Sequence, residues 1–587
     1  MRILPLTLQP YKTNNISNTK IGLSSGIANI RIIGLKPIAA DVVSFSSSLD
    51  EDQIDRLNNL NTKKGEPFMQ NNDKYFKLRD EFGNKLSKVQ YDTELAAWNF
   101  YTNSSDENLS KYTEAQENFS NLFKDETFYT KLKEVQTQGL DDKHLSKQLK
   151  DLIKAFYNEI ESGNELKALR DKENDIASKY NAYVMKIDCK PVSKAEIMKI
   201  LETETDVSLR KKAYEANVNA GDVIAEDLVE LVKMRNEYAK TKGYDNYFDY
   251  MIEDSYDISP QSLDKLLNGV YDKIKTKSYE FEKDRQNELA QSFGIDSSDL
   301  MDYHFRFLPS DNPEKIVNDY IKDGEQVVDL AKKVYKNMGY DVDNMGITLD
   351  LFPRKNKNTH GFAFCIEPGK DARILANLTN NTNSLDTIMH ELGHCVYDIG
   401  IDTTLPFIEQ SPSSSVMTEA VAMMMGDLPK MENMLSGTVP ELALKKFKAE
   451  LKKDDANFVS RSLQIIEFER EMYKNPDQDL KALWKNLKQK YLFRGENTYI
   501  NNEWATIPHY LSHPGYYQNY FRAALYKAQL YNTLKNNLGN ITENPQTAAF
   551  LNKNLFKYGA SMEDEDLIEK ITGKALSEDD FCRRITE

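Results

Sequence analysis

From about residue 50 to the C-terminus, apolar residues recur three and four positions apart, in runs of roughly ten to twenty closed by Gly, Asn or Pro. That is the period of one face of an α-helix, and a chain that keeps it this long must bury helix against helix. Backbone breakers are scarce: the 587 residues hold 25 glycines and 18 prolines, where average usage would give roughly 70 of the two together. A mainly α fold is expected. Within Ala225 to Gly243, Leu228, Leu231, Val232 and Ala239 share one helical face and Gly243 supplies the left-handed residue that ends it. Ser193 and Glu196 have the spacing of a capping box. The exception is His360 to Ile374, where alternating apolar residues, a Pro-Gly turn and a second extended run predict a β-hairpin or a short pair of edge strands.

Residues 1–48 are rich in Ser, Asn, Thr and Gly and poor in acids, so they read as an N-terminal extension before one large unit spanning 49–587. The net charge of −16 repels nucleic-acid phosphates and anionic membrane surfaces, and excludes both as expected partners. No run of uncharged apolar residues is long enough to span a bilayer, and Pro5, Thr7, Gln9 and Pro10 break up any signal-peptide core. Four scattered cysteines make no disulfide framework. A cytoplasmic monomer is the expectation. The acidic run Glu563 to Asp566 reads as a solvated helix face.

Chemistry concentrates at His390-Glu391-Leu392-Gly393-His394. Two histidines four apart on a helix project from one face, so both imidazoles can bind a single Zn2+ while Glu391 lies beside the open position. Only seven histidines occur in the chain, so such a match arises by chance in on the order of one per hundred chains of this composition. The flanking Leu385, Ile388, Met389 and Val396 supply helical, apolar context. A catalytic zinc site needs a third protein ligand. Glu419 is the candidate, in the first turn of a helix entered through Ser-Pro-Ser-Ser-Ser; an acid placed there only to favour the helix dipole is the alternative. Met423, Met424 and Met425 read as core. Five of the seven histidines (His360, His390, His394, His509 and His513) fall in the same stretch of chain, and His509, His513, Tyr516, Tyr517 and Tyr520 together form a set of hydrogen-bond donors for a developing oxyanion. Those rings could equally be packing on the core.

These residues resemble the family of angiotensin-converting enzyme, a zinc peptidyl-dipeptidase, within a wider clan of helical oligopeptidases of the thimet type. The resemblance spans about residues 90 to 540: the HELGH segment, the TEAVA segment around Glu419, and His360, Ala363, Lys370, Asp371, Arg373 and Ile374 in the spacing H-x-x-A then K-D-x-R-I. It implies an ellipsoidal, two-lobed helical fold around a deep channel. It also implies His390, His394 and Glu419 as zinc ligands, Glu391 as general base, His509 and Tyr520 as transition-state stabilisers, and His360 and Ala363 as binders of the substrate backbone. Tyr516, Tyr517 and His513 join them as substrate-binding candidates.

Departures from the family bear on specificity. Ile507 stands where the family places a lysine that holds the substrate's terminal carboxylate, Asn519 where it places a chloride-binding arginine, and Met423 where it places an aspartate that orients a zinc histidine. Asp386 and Asp398, each one turn from a ligand histidine, are the substitutes for that aspartate. The activity implied is zinc-dependent hydrolysis of short peptides, releasing dipeptides from the C-terminus. Internal cutting, removal of single residues, and a catalytically silent peptide-binding protein are the rival readings.

Overall fold

The described chain opens on α1 (Gly65–Thr102), α2 (Asp106–Leu122), α3 (Glu126–Gln138) and α4 (Lys143–Ile160). The protein is seen here as a computed structural model that describes residues 65–161 and 163–587, so the extension expected over 1–48 lies outside the described residues. The side chains of Ser105, Asp125 and Asp142 accept the otherwise orphaned N–H groups at the starts of α2, α3 and α4. Their inner faces meet in an aromatic core where the Phe82 ring lies 5.4 Å from Phe123, 5.5 Å from Phe128 and 5.3 Å from Phe156.

A larger core joins α5 (Ala220–Thr241), α6 (Pro260–Phe293), α7 (Thr382–Gly400), α8 (Ser415–Met431), α9 (Glu441–Lys474), α10 (Leu480–Leu492) and α11 (Tyr517–Leu538). On α5, Leu228, Leu231, Val232 and Ala239 are fully buried, and Gly243 follows at φ +87°. Before the helix Lys194–Thr203, Ser193 and Glu196 form the anticipated capping box. Met423, Met424 and Met425 are all core residues. The mainly α architecture expected from the periodicity is the one observed.

One three-stranded sheet sits against α7. Strands β1 (Ile347–Asp350), β2 (Phe362–Glu367) and β3 (Asp371–Leu375) lie in the order β1-β3-β2. The expected hairpin is β2 with β3, antiparallel, and β3 is also paired in parallel with β1, a strand the alternation rule did not reveal. In consequence β2 is an edge strand within this sheet. Its inner face rests on α1: Trp98 meets Phe364 edge-on at 5.5 Å and Tyr101 meets Phe362 at 5.4 Å.

The acidic run at 563–566 is not merely solvated. Asp564 is buried and accepts hydrogen bonds from Ser413 and Ser414, and Ser414 in turn caps α8 by accepting from the Met417 N–H at 3.0 Å. The helix that carries Glu419 is thereby fixed at its entry. Among the described residues the four cysteines form no disulfide, and no helix is long and apolar enough to cross a membrane.

Candidate metallopeptidase site

Helix α7 begins where Asn381 caps the Ser384 N–H at 2.8 Å, and it buries Leu385, Ile388, Met389, Leu392, Cys395 and Val396. That apolar stripe turns His390 and His394 toward α8, with ring centroids 4.9 Å apart. Glu419 comes to meet them: its carboxylate lies 3.6 Å from His390 Nε2 and 3.9 Å from His394 Nε2. Glu419 stands just past the first turn of α8, which begins at Ser415, so capping the helix dipole is not what holds it there.

Two glycines permit this approach. A Cβ on Gly393 would lie 2.9 Å from Ala422 Cα, and one on Gly426 would lie 2.5 Å from Asp386 Oδ1. A side chain at Gly393 would press on the α8 backbone and push α7 and α8 apart, whereas one at Gly426 would have to displace the Asp386 carboxylate.

His390, His394 and Glu419 are, among the described residues, the one group of three metal-capable side chains, each offering a ligand atom within 4.8 Å of the others. Ligands about 2.1 Å from a tetrahedral zinc stand roughly 3.4 Å from one another, so two imidazole nitrogens and a carboxylate oxygen at these spacings fit that ion. His394 Nδ1 lies 2.7 Å from Thr418 Oγ1. An imidazole offering Nε2 to a metal carries its proton on Nδ1, so Nδ1 donates to the threonine hydroxyl. Thr418 therefore fills, for His394, the orienting role that sequence spacing gave to Asp386 or Asp398. Burial pushes the Asp386 carboxyl up to about 6.

The edge strand runs past the adjacent carboxylate. A Cβ at Gly361 would stand 3.5 Å from Glu391 Oε1, so Glu391 faces the backbone that leads into β2. His360 precedes it, held by Asn358 Oδ1, which accepts its N–H at 2.9 Å. Ala363 pairs with Ile374 across β2 and β3.

The second cluster gathers at the start of α11. The His509 ring lies 4.7 Å from Tyr517, 5.8 Å from Tyr520 and 5.9 Å from Tyr516, and His513 lies 5.9 Å from Tyr516. Burial, with His513 beside it, pushes His509 down to about 3, so its imidazole is neutral near pH 7, and its Nδ1 has no hydrogen-bond partner among the described residues. Burial raises the Tyr520 hydroxyl well above its usual range, with Tyr516 and Glu419 adding to the effect, so it stays a proton donor. Helix α11, which carries Tyr520, packs on α8, which carries Glu419, and the Asn519 amide of α11 donates to the Ser415 hydroxyl of α8 at 3.3 Å.

Three groups hold the His509 loop. The buried Arg235 of α5 donates to the carbonyls of Tyr510, at 2.7 Å, and Leu511, and pairs with Glu173 at 2.6 Å. Glu469 of α9 accepts the Gly515 N–H at 2.8 Å, and the Tyr256 hydroxyl donates to the Pro514 carbonyl at 3.0 Å. Arg235 was not singled out from the sequence, although it sits on the apolar face defined by Leu228, Leu231 and Val232. A cation there was the available signal.

Residues 200–587, which carry every group of both clusters, match the family model described as Peptidase family M3. The chain belongs to peptidase family M3. Residues 69–280 match the model described as Angiotensin-converting enzyme, so the two matches overlap between 200 and 280. This M3 peptidase is a zinc metallopeptidase of the converting-enzyme and thimet-like type, acting on peptides.

Proposed function

We propose that the protein hydrolyses short peptides and releases dipeptides from their C-termini, with the substrate extended along the free edge of β2. The observation that carries this reading is the convergence of His390, His394 and Glu419 beside Glu391, under the start of an edge strand able to pair with a peptide backbone. His390, His394 and Glu419 would hold one zinc ion, which supplies a Lewis acid for water and for the scissile carbonyl. Glu391 takes the proton of the attacking water and passes it to the leaving amine. His509 and the Tyr520 hydroxyl donate hydrogen bonds to the oxyanion as it forms. His360 and Ala363 bind the substrate backbone, with Tyr516, Tyr517 and His513 lining its path, inside a channel between two lobes.

Internal cutting is the second reading, favoured by Ile507, whose apolar side chain lines the cavity beside His509 and offers a carboxylate nothing. Mass spectrometry of products from a ten-residue peptide, with and without a chelator, separates the readings. Chelator-sensitive loss of a C-terminal dipeptide supports the first, internal fragments support the second, and no chelator-sensitive cutting of any peptide contradicts both.

A further inference from the structure

Helix α4 carries two lysines, Lys147 and Lys154, whose spacing of two helical turns puts them on one face. Lys154 is buried and pairs with the buried Asp254 at 2.5 Å. Lys147 reaches two carboxylates at once: Asp257, and Glu563 at 2.8 Å. Asp254 belongs to the single π-helical turn Met251–Ser255, which Asp257 closely follows, whereas Glu563 caps the helix Asp564–Thr572 near the C-terminus. One face of α4 is thus clamped on two segments remote from each other in sequence. His144 Nδ1 stands 3.6 Å from the same Glu563. Arg522 of α11 also meets both segments, donating to the Tyr256 carbonyl at 3.3 Å and standing 3.6 Å from Glu565.

Each segment sets a residue that meets Lys147 next to one that supports the site. Beside Asp257, the Tyr256 hydroxyl donates to the Pro514 carbonyl at 3.0 Å. The Tyr256 ring lies 6.1 Å from that of Tyr516, which in turn lies 5.9 Å from His509 and 5.1 Å from Tyr520. Gly515 approaches so closely that a Cβ on it would stand 3.2 Å from Tyr256 Cε2. Beside Glu563, the Asp564 carboxylate accepts from Ser413 at 2.7 Å and from Ser414, whose hydroxyl caps α8 just ahead of Thr418 and Glu419. One arm supports the proposed oxyanion donors, the other supports the helix of the third metal-capable side chain, and both end on Lys147.

A shared ammonium draws two like charges together; when it is withdrawn, the Asp257 and Glu563 carboxylates repel and push their segments apart. Partly exposed ion pairs of this kind add little to global stability. Geometry is more sensitive, because a displacement of about 1 Å that begins far from the chemistry can cost about 10²-fold in rate.

We infer that Lys147 is a positioning residue for hydrolysis, tying to one face of α4 the segment behind the His509 loop and the segment behind the Glu419 helix, and so fixing the spacing between them. The inference deepens the peptidase reading and rests on it for the effect on turnover.

The test combines hydrogen exchange by mass spectrometry with steady-state kinetics on the full chain. The Gly515 N–H donates to Glu469 and the Met417 N–H to Ser414, so peptides containing these amides report the two arms separately. Lys147→Gln should speed exchange in both peptides and lower kcat about tenfold with KM nearly unchanged, while the denaturation midpoint moves little. Lys147→Arg, which can still bridge both carboxylates, should restore most of the turnover and the protection. Asp257→Asn should loosen only the Gly515 peptide, and Glu563→Gln only the Met417 peptide. These two variants carry the test if Lys147→Gln does not fold: exchange that quickens equally in both peptides of each, or in neither, overturns the inference. Exchange in Lys147→Gln that matches the parent at both amides, or that quickens only within α4, also overturns it. Exchange is read without substrate, so failure of the peptidase reading is separately visible as parent protein that cuts no peptide.

Discussion

His394 Nδ1 lies 2.7 Å from Thr418 Oγ1, so the residue beside Glu419 in sequence orients the imidazole that faces Glu419 in space. Helix α8 therefore contributes both the Glu419 carboxylate of the candidate metal-binding group and the hydroxyl that aims one of the histidines. Removing that hydroxyl by Thr418→Val should weaken zinc binding about tenfold to a hundredfold. Competition against a calibrated chelator reads the affinity, and Thr418→Ser should retain most of it. Equal affinity in the valine variant would show that packing alone orients His394.

The close approach of α7 and α8 depends on the bare Gly393, whose added Cβ would press on Ala422 Cα at 2.9 Å. Overpacking at a buried backbone contact of this kind costs about 1–3 kcal/mol. Gly393→Ala should lower the denaturation midpoint accordingly and leave a purified protein poor in zinc, both measurable on one preparation.

Burial, then Tyr516 and Glu419, hold the Tyr520 hydroxyl well above its usual range, so it stays protonated. Loss of one oxyanion donor typically costs about 10²-fold to 10³-fold in kcat. Tyr520→Phe should show that loss with KM and zinc content close to those of the parent protein, since the ring and its packing stay. A change confined to KM would make Tyr520 a substrate-binding residue instead.

Glu469 supplies a pH signature. Burial pushes its carboxyl up to about 8, with the Gly515 N–H and then Arg235 opposing that rise. Because the folded state holds this proton up to about pH 8 while the unfolded chain releases it near pH 4.5, the folded form binds more protons between those values. Stability must then fall as pH rises across that window, by at most about 1.4 kcal/mol per pH unit from this group. Subtracting the melting profile of Glu469→Gln from that of the parent isolates the effect, and a flat difference from pH 5 to 8 would count against it.

Much of the site is legible in the sequence because its chemistry is local. His390 and His394 are one helical turn apart, so their spacing alone places both imidazoles on one face, and the apolar residues around them show which way that face turns. The hairpin of β2 and β3 is legible for the same reason, as alternation interrupted by a turn. What escapes is whatever depends on partners distant in the chain. β1 is four residues long and gains its identity only by pairing in parallel with β3. Thr418 carries no spacing signal because the group it orients is on another helix. Asp564 looks like part of a solvated acidic run until the buried hydroxyls of Ser413 and Ser414 meet it. Arg235 and Glu469 act on the His509 loop from α5 and α9.

In the proposed mechanism Glu391 moves protons beside a zinc ion held by His390, His394 and Glu419, without helping to hold it. The most direct measurement pairs zinc content with peptide turnover in Glu391→Gln. About one zinc per chain, as in the parent, with turnover reduced at least about 10³-fold, is the predicted result. Turnover close to that of the parent at full zinc occupancy would contradict the account.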